Sequence, residues 1–394
     1  MKKVYLDYSA TTPVKPAVVE AMLPYFSEYY GNASSIYEVG RASKSALEKA
    51  REQIAQLIGA RPSEIFFTAG GTEADNWALK SVAYDLKAKG RGNHLITTKI
   101  EHHAILHTCE YLEKNGFEVT YLDVDAQGMI DLKTLEEAIT PQTILISIMY
   151  INNEIGTMQP IRAIGTIARE KGVLFHTDAV QALGNVPIDV NEDRIDLLSL
   201  SAHKIYGPKG VGALYVRQGT RITPFIHGGA QENKRRAGTE NIAGIVGFGE
   251  AARLAGENLE EHIEKLTALR ERLKDGLLAA IPEVVYNGHP TMRHPGNINL
   301  CFKYVEGEAM ILMLDHLGVA ASSGSACTSG SLDPSHVLMA IGLSHEYTNG
   351  SLRLSVGDFT TEADVDYVIE KLPAVIQRLR EMSPLYEAAE GGRQ

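Results

Sequence analysis

The sequence contains few cysteines and lacks any long apolar run. Its three cysteines, Cys109, Cys301 and Cys327, are far apart in a chain of 394 residues. An odd and widely spaced set of this kind argues against a disulfide framework and against a zinc site of the CxxC type. No stretch of about 18 apolar residues is present, which argues against a transmembrane helix. The start, MKKVYLDYSATTP, lacks the apolar region of a secretory signal.

Basic residues are outnumbered by acidic ones. The chain has 38 Lys and Arg against 49 Asp and Glu, a formal net charge of −11. Such a balance provides no positive field that would hold nucleic acid or an anionic membrane. The patterns GxGxxG after the first strand and GxxxxGKS/T are also absent, so nucleotide-binding functions lack support. We predict a cytoplasmic protein that binds neither nucleic acid nor membranes.

Seven short apolar segments predict the strands of one sheet. They span residues 64–68, 94–98, 118–122, 143–149, 173–176, 195–200 and 211–216. Most are continuous rather than alternating, which is typical of strands buried on both faces. Helical stretches such as 73–89 and 161–171 lie between them, and this alternation indicates a mostly parallel sheet covered on both sides. In such sheets ligands bind beyond the carboxyl ends of the strands.

The pattern changes after about residue 257. Leucine and isoleucine recur at helical spacing from Leu259 to Leu277, and a last helix begins with the capping sequence Thr361–Asp364. We therefore predict an α/β fold in two domains. The large domain would comprise residues 15–257, and a smaller α+β domain would comprise residues 1–14 and 258–394.

Two predicted strands are followed by residues that suit a bound anion or ring. A glycine-rich turn at residues 69–73 opens a helix, whose first N–H groups are available to an anion. Taken alone, this turn is also compatible with an ordinary strand-to-helix connection. His102 and His103 follow the next strand, and taken alone they are compatible with a surface pair or a helix cap.

Two further strands are followed by charged residues. Asp178 follows the segment 173–176, where a buried acid costs free energy unless it is paired, although a helix cap would also explain it. Lys204 follows the segment 195–200, where burial would lower its pKa and make its amine a nucleophile for carbonyls. A lysine side chain that reaches solvent from the strand end is the alternative. Together the anion turn, histidine, carboxylate and lysine form the set that pyridoxal phosphate requires.

Eight segments, in order, resemble those of cysteine desulfurases of the NifS/IscS type. They are LDYSATTP, GTEADN, EHHAIL, NNEIGT, HTDAVQ, SAHKIYGPKG, RRAGTEN and SSGSACTSGS. The resemblance covers residues 4–386 and implies the fold of type I pyridoxal-phosphate-dependent transferases, within the class V aminotransferases. It also implies a homodimer that converts L-cysteine to L-alanine. Whether the role is in nitrogen fixation or in housekeeping, and whether selenocysteine is also a substrate, stays open.

The resemblance implies a role for each matching residue. Lys204 would bind the cofactor covalently, Asp178 would keep its pyridine nitrogen protonated, and His102 would stack on its ring and take part in catalysis. Five residues would bind the phosphate: Gly71, Thr72, Ser201, His203 and, from the other subunit of the dimer, Thr239. Gln181 would contact the phenolic oxygen of the cofactor. Arg353 and Asn153 would bind the substrate carboxylate, and Asn153 would also lie near the cofactor.

Cys327 lies among small residues with no large apolar anchor. The resemblance implies that its thiolate takes sulfur from the substrate as a persulfide, on a mobile loop, and passes it to an acceptor. That acceptor would be an iron–sulfur scaffold protein of the NifU/IscU type or another sulfur carrier. No resident metal is implied, although Cys327 would be able to ligate an iron–sulfur cluster transiently. Cys109 and Cys301 are expected to be structural.

Two other functions fit parts of the sequence. Another lyase or aminotransferase on the same fold would share Lys204 and Asp178 but would need no thiol at residue 327. A non-enzymatic assembly protein would need neither the lysine nor the aspartate. Visible absorbance from a bound cofactor would separate the second alternative from the enzymes.

Overall fold

The computed structural model describes residues 2–323, 334–384 and 386. Its strands are β1 Val4–Tyr5, β2 Ile65–Thr68, β3 His94–Thr98, β4 Glu118–Leu122, β5 Thr143–Ser147, β6 Leu174–Asp178, β7 Leu197–Ser201, β8 Gly212–Val216, β9 Val284–Asn287, β10 Asn297–Phe302, β11 Val319–Ala320 and β12 Ser351–Ser355.

The helices are α1 Pro16–Met22, α2 Pro24–Ser27, α3 Glu38–Leu57, α4 Gly71–Ala88, α5 His103–Glu113, α6 Leu132–Ala138, α7 Ile161–Lys171, α8 Gln231–Lys234, α9 Ile242–Glu257, α10 Leu259–Ala280, α11 Gly307–His316, α12 His336–Ala340, α13 His345–Thr348 and α14 Glu362–Glu381. Two short 3-10 turns, Pro62–Glu64 and Ala202–Lys204, complete the set in the described part of the chain. No helix in that part is long and apolar enough to cross a membrane.

A seven-stranded sheet forms the centre of the molecule. Its strand order is β2-β8-β7-β6-β5-β3-β4, and all neighbours are parallel except those of β8, which runs antiparallel to β2 and β7. Each predicted segment coincides with one strand, and the bounds differ by at most two residues, as in 143–149 against Thr143–Ser147. Strand β6 extends to Asp178 because this residue still pairs with Ser199 of β7.

Helices cover both faces of this sheet. Neighbouring residues of β2 show the two faces, since Phe66 packs with Trp77 of α4 and Phe67 packs with Ile54 of α3. Helix α9 packs against α3 on the second face. The carboxyl ends of the parallel strands therefore remain open for a site at one edge of the sheet.

A smaller group of elements has its own core. Strands β10, β9 and β12 form an antiparallel sheet, and β1 pairs with β11. Side chains of β1, α10, β10, β12 and α14 make one hydrophobic cluster, which includes Leu6, Leu273, Leu354 and Val368. The main cluster of the large sheet runs from Val18 to Ala252. The domain boundaries that the sequence predicts stay a prediction.

Candidate active site

Lys204 lies at the end of the 3-10 turn that follows β7. Its Nζ atom donates to the backbone carbonyl of Ala10 at 2.8 Å and to that of Ser9. The Ser9 carbonyl also accepts from Nε2 of Gln181 at 2.9 Å. The half-buried Lys204 is thus fastened through its amine to the segment that follows β1, rather than extending from the strand end into solvent alone.

Asp178 ends β6 on the neighbouring strand. Its Oδ1 atom accepts from the N–H of Val180 at 2.9 Å, in a turn that does not continue as a helix. Burial raises the pKa of this carboxyl, while the charges of His102 and Lys204 oppose that shift. The helix-cap alternative is therefore wrong, because the aspartate closes a turn and faces the histidine and the lysine.

A buried polar chain lies next to Asp178. Across three adjacent strands, the His176 ring bonds to Ser147 Oγ through Nδ1 at 2.8 Å and to Ser199 Oγ through Nε2 at 2.9 Å. Asp75 of α4 approaches the same ring, with Oδ1 3.7 Å from Nε2. Burial lowers the pKa of His176 to about 3, and burial and then the Asp178 charge raise the pKa of Asp75 well above its usual range. The His176 ring is therefore uncharged at neutral pH, and its buried surroundings favour the neutral form of Asp75.

His102 is the N-cap of α5. Its Nδ1 atom accepts from the N–H of Ala104 at 3.1 Å, which leaves the proton of the neutral ring on Nε2. Burial lowers the pKa of this imidazole. The cap that the sequence offered as an alternative is present, and the same ring also faces Asp178 and Lys204 electrostatically.

The turn between β2 and α4 forms one wall of a cavity of about 460 Å³. Four of the five residues predicted to bind phosphate meet there with two that the sequence analysis missed; the cavity lining includes Gly71, Thr72, Ser201, His203, Thr11 and Lys209. The hydroxyl oxygen of Thr11 lies 3.1 Å from Nδ1 of His203. Burial, then Lys204 and Lys209, lower the pKa of His203 to about 4, so its ring is neutral.

Arg353 is fully enclosed on β12. Its Nη2 atom donates to Asp7 Oδ1 at 2.9 Å and its Nη1 atom to the carbonyl of Asn153 at 3.2 Å. Its Nε atom has no hydrogen-bond partner among the described residues. The two residues predicted to hold the substrate carboxylate therefore touch each other, and Asp7 is a carboxylate that the sequence analysis did not assign.

Two buried glutamates flank this region. Glu101 accepts from Thr98 Oγ1 at 2.7 Å, and burial raises its pKa to about 8. Glu154 accepts from Ser335 Oγ at 2.5 Å, and burial raises its pKa to about 7. His336 bonds through Nε2 to the Glu101 carbonyl at 2.9 Å. These contacts attach residues 335 and 336 to the segments that carry Glu154 and Glu101.

Thr239, Cys109 and Cys301 are not part of this group. Cys327 lies outside the described residues. Thr239 is exposed and lies away from the phosphate cavity, in clefts that it shares with Ala69 on one side and Tyr29 on the other. Cys109 and Cys301 are buried, and burial raises the pKa of both thiols, to about 12 for Cys301.

Comparison with known proteins places this geometry in a family. The aminotransferase class-V family matches residues 4–368. A relative named cysteine desulfurase IscS, from Methanosarcina thermophila, is 58% identical over 384 residues, 98% of this chain and 94% of its own. A solved NifS-like protein is 38% identical, with a TM-score of 0.90 over 95% of this chain and 100% of that one. A structure of SspA in complex with cysteine is 39% identical, with a TM-score of 0.80 over 91% and 100%. The chain belongs to the cysteine desulfurase family.

This membership confirms the relationship that the eight motifs predicted, and the NifS-like neighbours confirm the predicted fold class. The structure adds residues to the candidate active site that lie within the eight motifs but to which the sequence analysis assigned no role. Asp7, Ser9 and Thr11 belong to LDYSATTP, and Asp75 belongs to GTEADN. Asp7, Ser9 and Thr11 could have been found from the sequence, because they form a run of polar residues directly after the short strand β1. Among the described residues, no group of three or more His, Cys, Asp and Glu is placed to hold a metal.

Proposed function

We propose that this chain catalyses the pyridoxal-phosphate-dependent conversion of L-cysteine to L-alanine and transfers the sulfur to Cys327. The observation that carries the proposal is the convergence of Lys204, Asp178 and His102 beside the β2–α4 turn, in a chain of the cysteine desulfurase family. Pyridoxal phosphate is the general cofactor of this family.

The residues present fit that cofactor. A Cβ atom on Gly71 would lie 2.7 Å from Cγ2 of Val180, so a side chain here would crowd the turn that carries the first N–H groups of α4. Gly71, Thr72, Ser201 and His203 would hold the phosphate, Asp178 the ring nitrogen, Gln181 the phenolic oxygen, and Lys204 the aldehyde carbon. Bound there, pyridoxal phosphate supplies an electron sink for the α-carbon of an amino acid.

The chain's own groups would bind and orient the substrate. Arg353 offers a planar fork that matches a carboxylate, and Asn153 lies against it. A carboxylate that arrives there competes with Asp7 for the guanidinium, so Asp7 keeps the arginine oriented when no substrate is bound. The amine of Lys204, held by the carbonyls of Ser9 and Ala10, would be the base that accepts the α-proton of the substrate.

Cys327 would take the sulfur as a thiolate. Its sulfur attacks the substrate sulfur, an S–S bond forms, the bond from sulfur to the β-carbon breaks, and the β-carbon takes a proton to give alanine. A neutral base is available nine residues after Cys327 in the sequence, because burial lowers the pKa of His336 and of His103, whose rings lie 4.8 Å apart. A neutral imidazole is able to accept the thiol proton.

The proposed assembly is a homodimer that delivers sulfur to an iron–sulfur scaffold protein of the NifU/IscU type or to another acceptor. An exposed apolar surface supports the dimer; it includes Leu23, Phe26, Tyr30, Ile36 and Tyr37, exposed by 57–89%. Exposed large apolar side chains of this kind are typical of an interface. The cleft that holds Thr239 is lined by Phe26 and Tyr30 of the same surface, so a second subunit there would come close to Thr239.

The test is a paired assay on the purified protein. With L-cysteine and dithiothreitol, the proposal predicts equal amounts of alanine and sulfide and a visible absorbance band from the lysine-bound cofactor. An aminotransferase would instead give a keto acid from L-cysteine, and an assembly protein would give neither product. Either of those outcomes, in protein that carries the cofactor, contradicts the proposed activity.

A further inference from the structure

The segment that precedes Thr239 has an unusual backbone. Three consecutive residues, Glu232, Asn233 and Lys234, have φ angles of 46°, 55° and 65°. Left-handed conformations are unfavourable for residues with side chains and persist only where the surroundings enforce them. The contacts that enforce this run therefore indicate what the segment is built to hold in place.

Two bidentate ion pairs fasten the segment. Arg51 donates to both oxygens of Glu232 at 2.8 Å, and both side chains are buried. Arg236 donates to Glu73 through Nε at 2.9 Å and Nη2 at 3.2 Å. Bidentate guanidinium–carboxylate pairs fix geometry more strongly than single contacts do. The segment is thus held on both sides of the left-handed run.

Both pairs lead to the turn that lines the phosphate cavity. Oε2 of Glu232 accepts from the N–H of Phe67, just before the turn, at 3.0 Å. Glu73 lies just after the turn, in the first turn of α4, and its Oε2 atom also accepts from the N–H of Ala69 at 2.9 Å. The Thr239 segment is therefore attached to both arms of the phosphate turn of its own subunit.

Arg236 stands three residues before Thr239, a span of at most about 11 Å. Glu73, its partner, lines the phosphate cavity, where an unpaired carboxylate would repel a phosphate. Arg236 compensates that charge and at the same time sets the position of the exposed residues that follow it.

We propose that Arg236 is a positioning residue that couples the two cofactor sites of the dimer. Through Glu73 it orients the phosphate turn of its own subunit, and through residues 237–238 it orients Thr239 for the phosphate of the other subunit. The inference rests on the proposed function, in which Thr239 crosses the dimer. Loss of the pair in one subunit then weakens cofactor binding in the other, as a coupling between sites requires.

Mixed dimers test this directly. One subunit carries Lys204→Ala and so gives no visible band, and a titration with pyridoxal phosphate then reports the unaltered subunit alone. Adding Arg236→Gln to the silent subunit should weaken binding at the reporting site by about tenfold, within the range of known site couplings. An unchanged affinity would mean that the ion pair acts only within its own subunit and would overturn the proposal.

Glu73→Gln in the silent subunit tests the same ion pair from its other side, because the proposal links Glu73 to the other subunit through Arg236. Glu73→Gln should lower the cofactor affinity of the reporting site by as much as Arg236→Gln does. The two substitutions together should lower it no further than either one alone. Additive effects would contradict the link. Arg236→Lys, which keeps the charge but loses the fork, should restore part of the affinity.

Arg235→Gln is the matched control. The Arg235 guanidinium lies 4.8 Å from the centre of the Phe66 ring, and no carboxylate bonds to it among the described residues. Its replacement should leave the cofactor affinity of the reporting site unchanged. A loss equal to that of Arg236→Gln would indicate that any change in this segment loosens it, which would contradict the proposal. Thr239→Ala in the silent subunit removes the proposed contact itself, so it shows the largest loss of cofactor affinity at the reporting site that Arg236→Gln could cause. Failure of the unaltered dimer to give a visible band would overturn the proposed function itself.

Discussion

Oδ1 of Asp75 lies 3.7 Å from Nε2 of His176, and both side chains are almost fully buried. His176 and Asp178 are two residues apart on β6, so their side chains lie on the same face of the strand. Asp75 and Asp178 are therefore two buried carboxyl groups near one another, and the charge of Asp178 raises the cost of ionising Asp75. Their environments differ, because Lys204 and His102 face Asp178, whereas Oδ1 of Asp75 has no hydrogen-bond partner among the described residues.

The two carboxyl groups should respond differently to the same change. Burial favours the neutral form of Asp75, so Asp75→Asn, which is neutral and similar in shape, should retain activity within a few-fold. Asp178→Asn removes the charge proposed to face the ring nitrogen and should slow exchange of the α-proton of L-alanine with D₂O by about 100-fold or more, the usual effect of deleting one electrostatic stabiliser. Proton NMR of that exchange measures both variants without involving Cys327.

Equal loss in both variants would show that Asp75 also acts as an anion. Asp75→Ala is the structural control, because it removes the polar contact with Ser199 and leaves space beside His176. It should lower the thermal stability more than Asp75→Asn does. If Asp178→Asn exchanges the α-proton at the rate of the unaltered protein, Asp178 has no part in the chemistry.

The strand segments, their mostly parallel arrangement and the strand-end residues could be predicted because they depend on local patterns, whereas the order of the strands in the sheet was not predicted. Continuous apolar segments give buried strands, and the charged residue that follows such a segment, as Lys204 does, lies at the open edge of the sheet. The contacts from Ser9 and Ala10 to Lys204 could not be predicted, since they join residues almost two hundred positions apart and use backbone carbonyls.

Asp75 was missed for a different reason. It lies within a helix whose polar and apolar residues follow no clear face, and nothing in the local sequence distinguishes a buried carboxyl from an exposed one. Asp7 was missed because its role depends on Arg353, which pairs with it from the other end of the chain. Side chains that act through long-range partners become visible only in the folded chain.

Lys204 provides the second prediction. Lys204→Ala should abolish the visible band of the lysine-bound cofactor and reduce turnover by at least about 1000-fold, as removal of a covalent catalyst does. Borohydride reduction of the unaltered protein, followed by peptide mass analysis, should find the pyridoxyl group on Lys204. Lys209→Ala is the control, because Lys209 lines the phosphate cavity and its loss should weaken cofactor binding without removing the band at saturation. A pyridoxyl group on any other lysine would refute the assignment.

A third prediction concerns acid stability at the junction of the two cores. Asp358 lies 2.6 Å from His262 Nδ1 and 2.5 Å from Lys15 Nζ. Burial would raise the pKa of Asp358, but these bonds outweigh it and lower the pKa to about 2. A carboxyl with a lowered pKa stabilises the fold above its ordinary pKa of about 3.8, and this contribution is lost as the pH falls towards 2.

Asp358→Asn should therefore lower the free energy of unfolding by about 1–2 kcal/mol at pH 6, after allowance for partial exposure, and the difference should shrink below pH 4. Urea midpoints at a series of pH values measure this. Asp366→Asn is the matched control, because Asp366 pairs with Arg272 at 2.7 Å on the open surface and should matter little. A difference that stays constant down to pH 2.5 would show that the charge of Asp358 is not the cause.

The last prediction concerns Cys327, which the sequence alone singles out. Cys327→Ser should still bind the cofactor and L-cysteine, because Lys204 and Arg353 are unchanged, but alanine formation should fall by more than about 1000-fold since no thiolate takes the sulfur. After one turnover without reductant, the Cys327 peptide of the unaltered protein should gain about 32 Da, and dithiothreitol should remove it. The controls are Cys109→Ala and Cys301→Ala, whose buried thiols are kept protonated by raised pKa values and should not be needed. Added mass on Cys109 or Cys301, together with full activity of Cys327→Ser, would refute the role of Cys327 as the sulfur carrier.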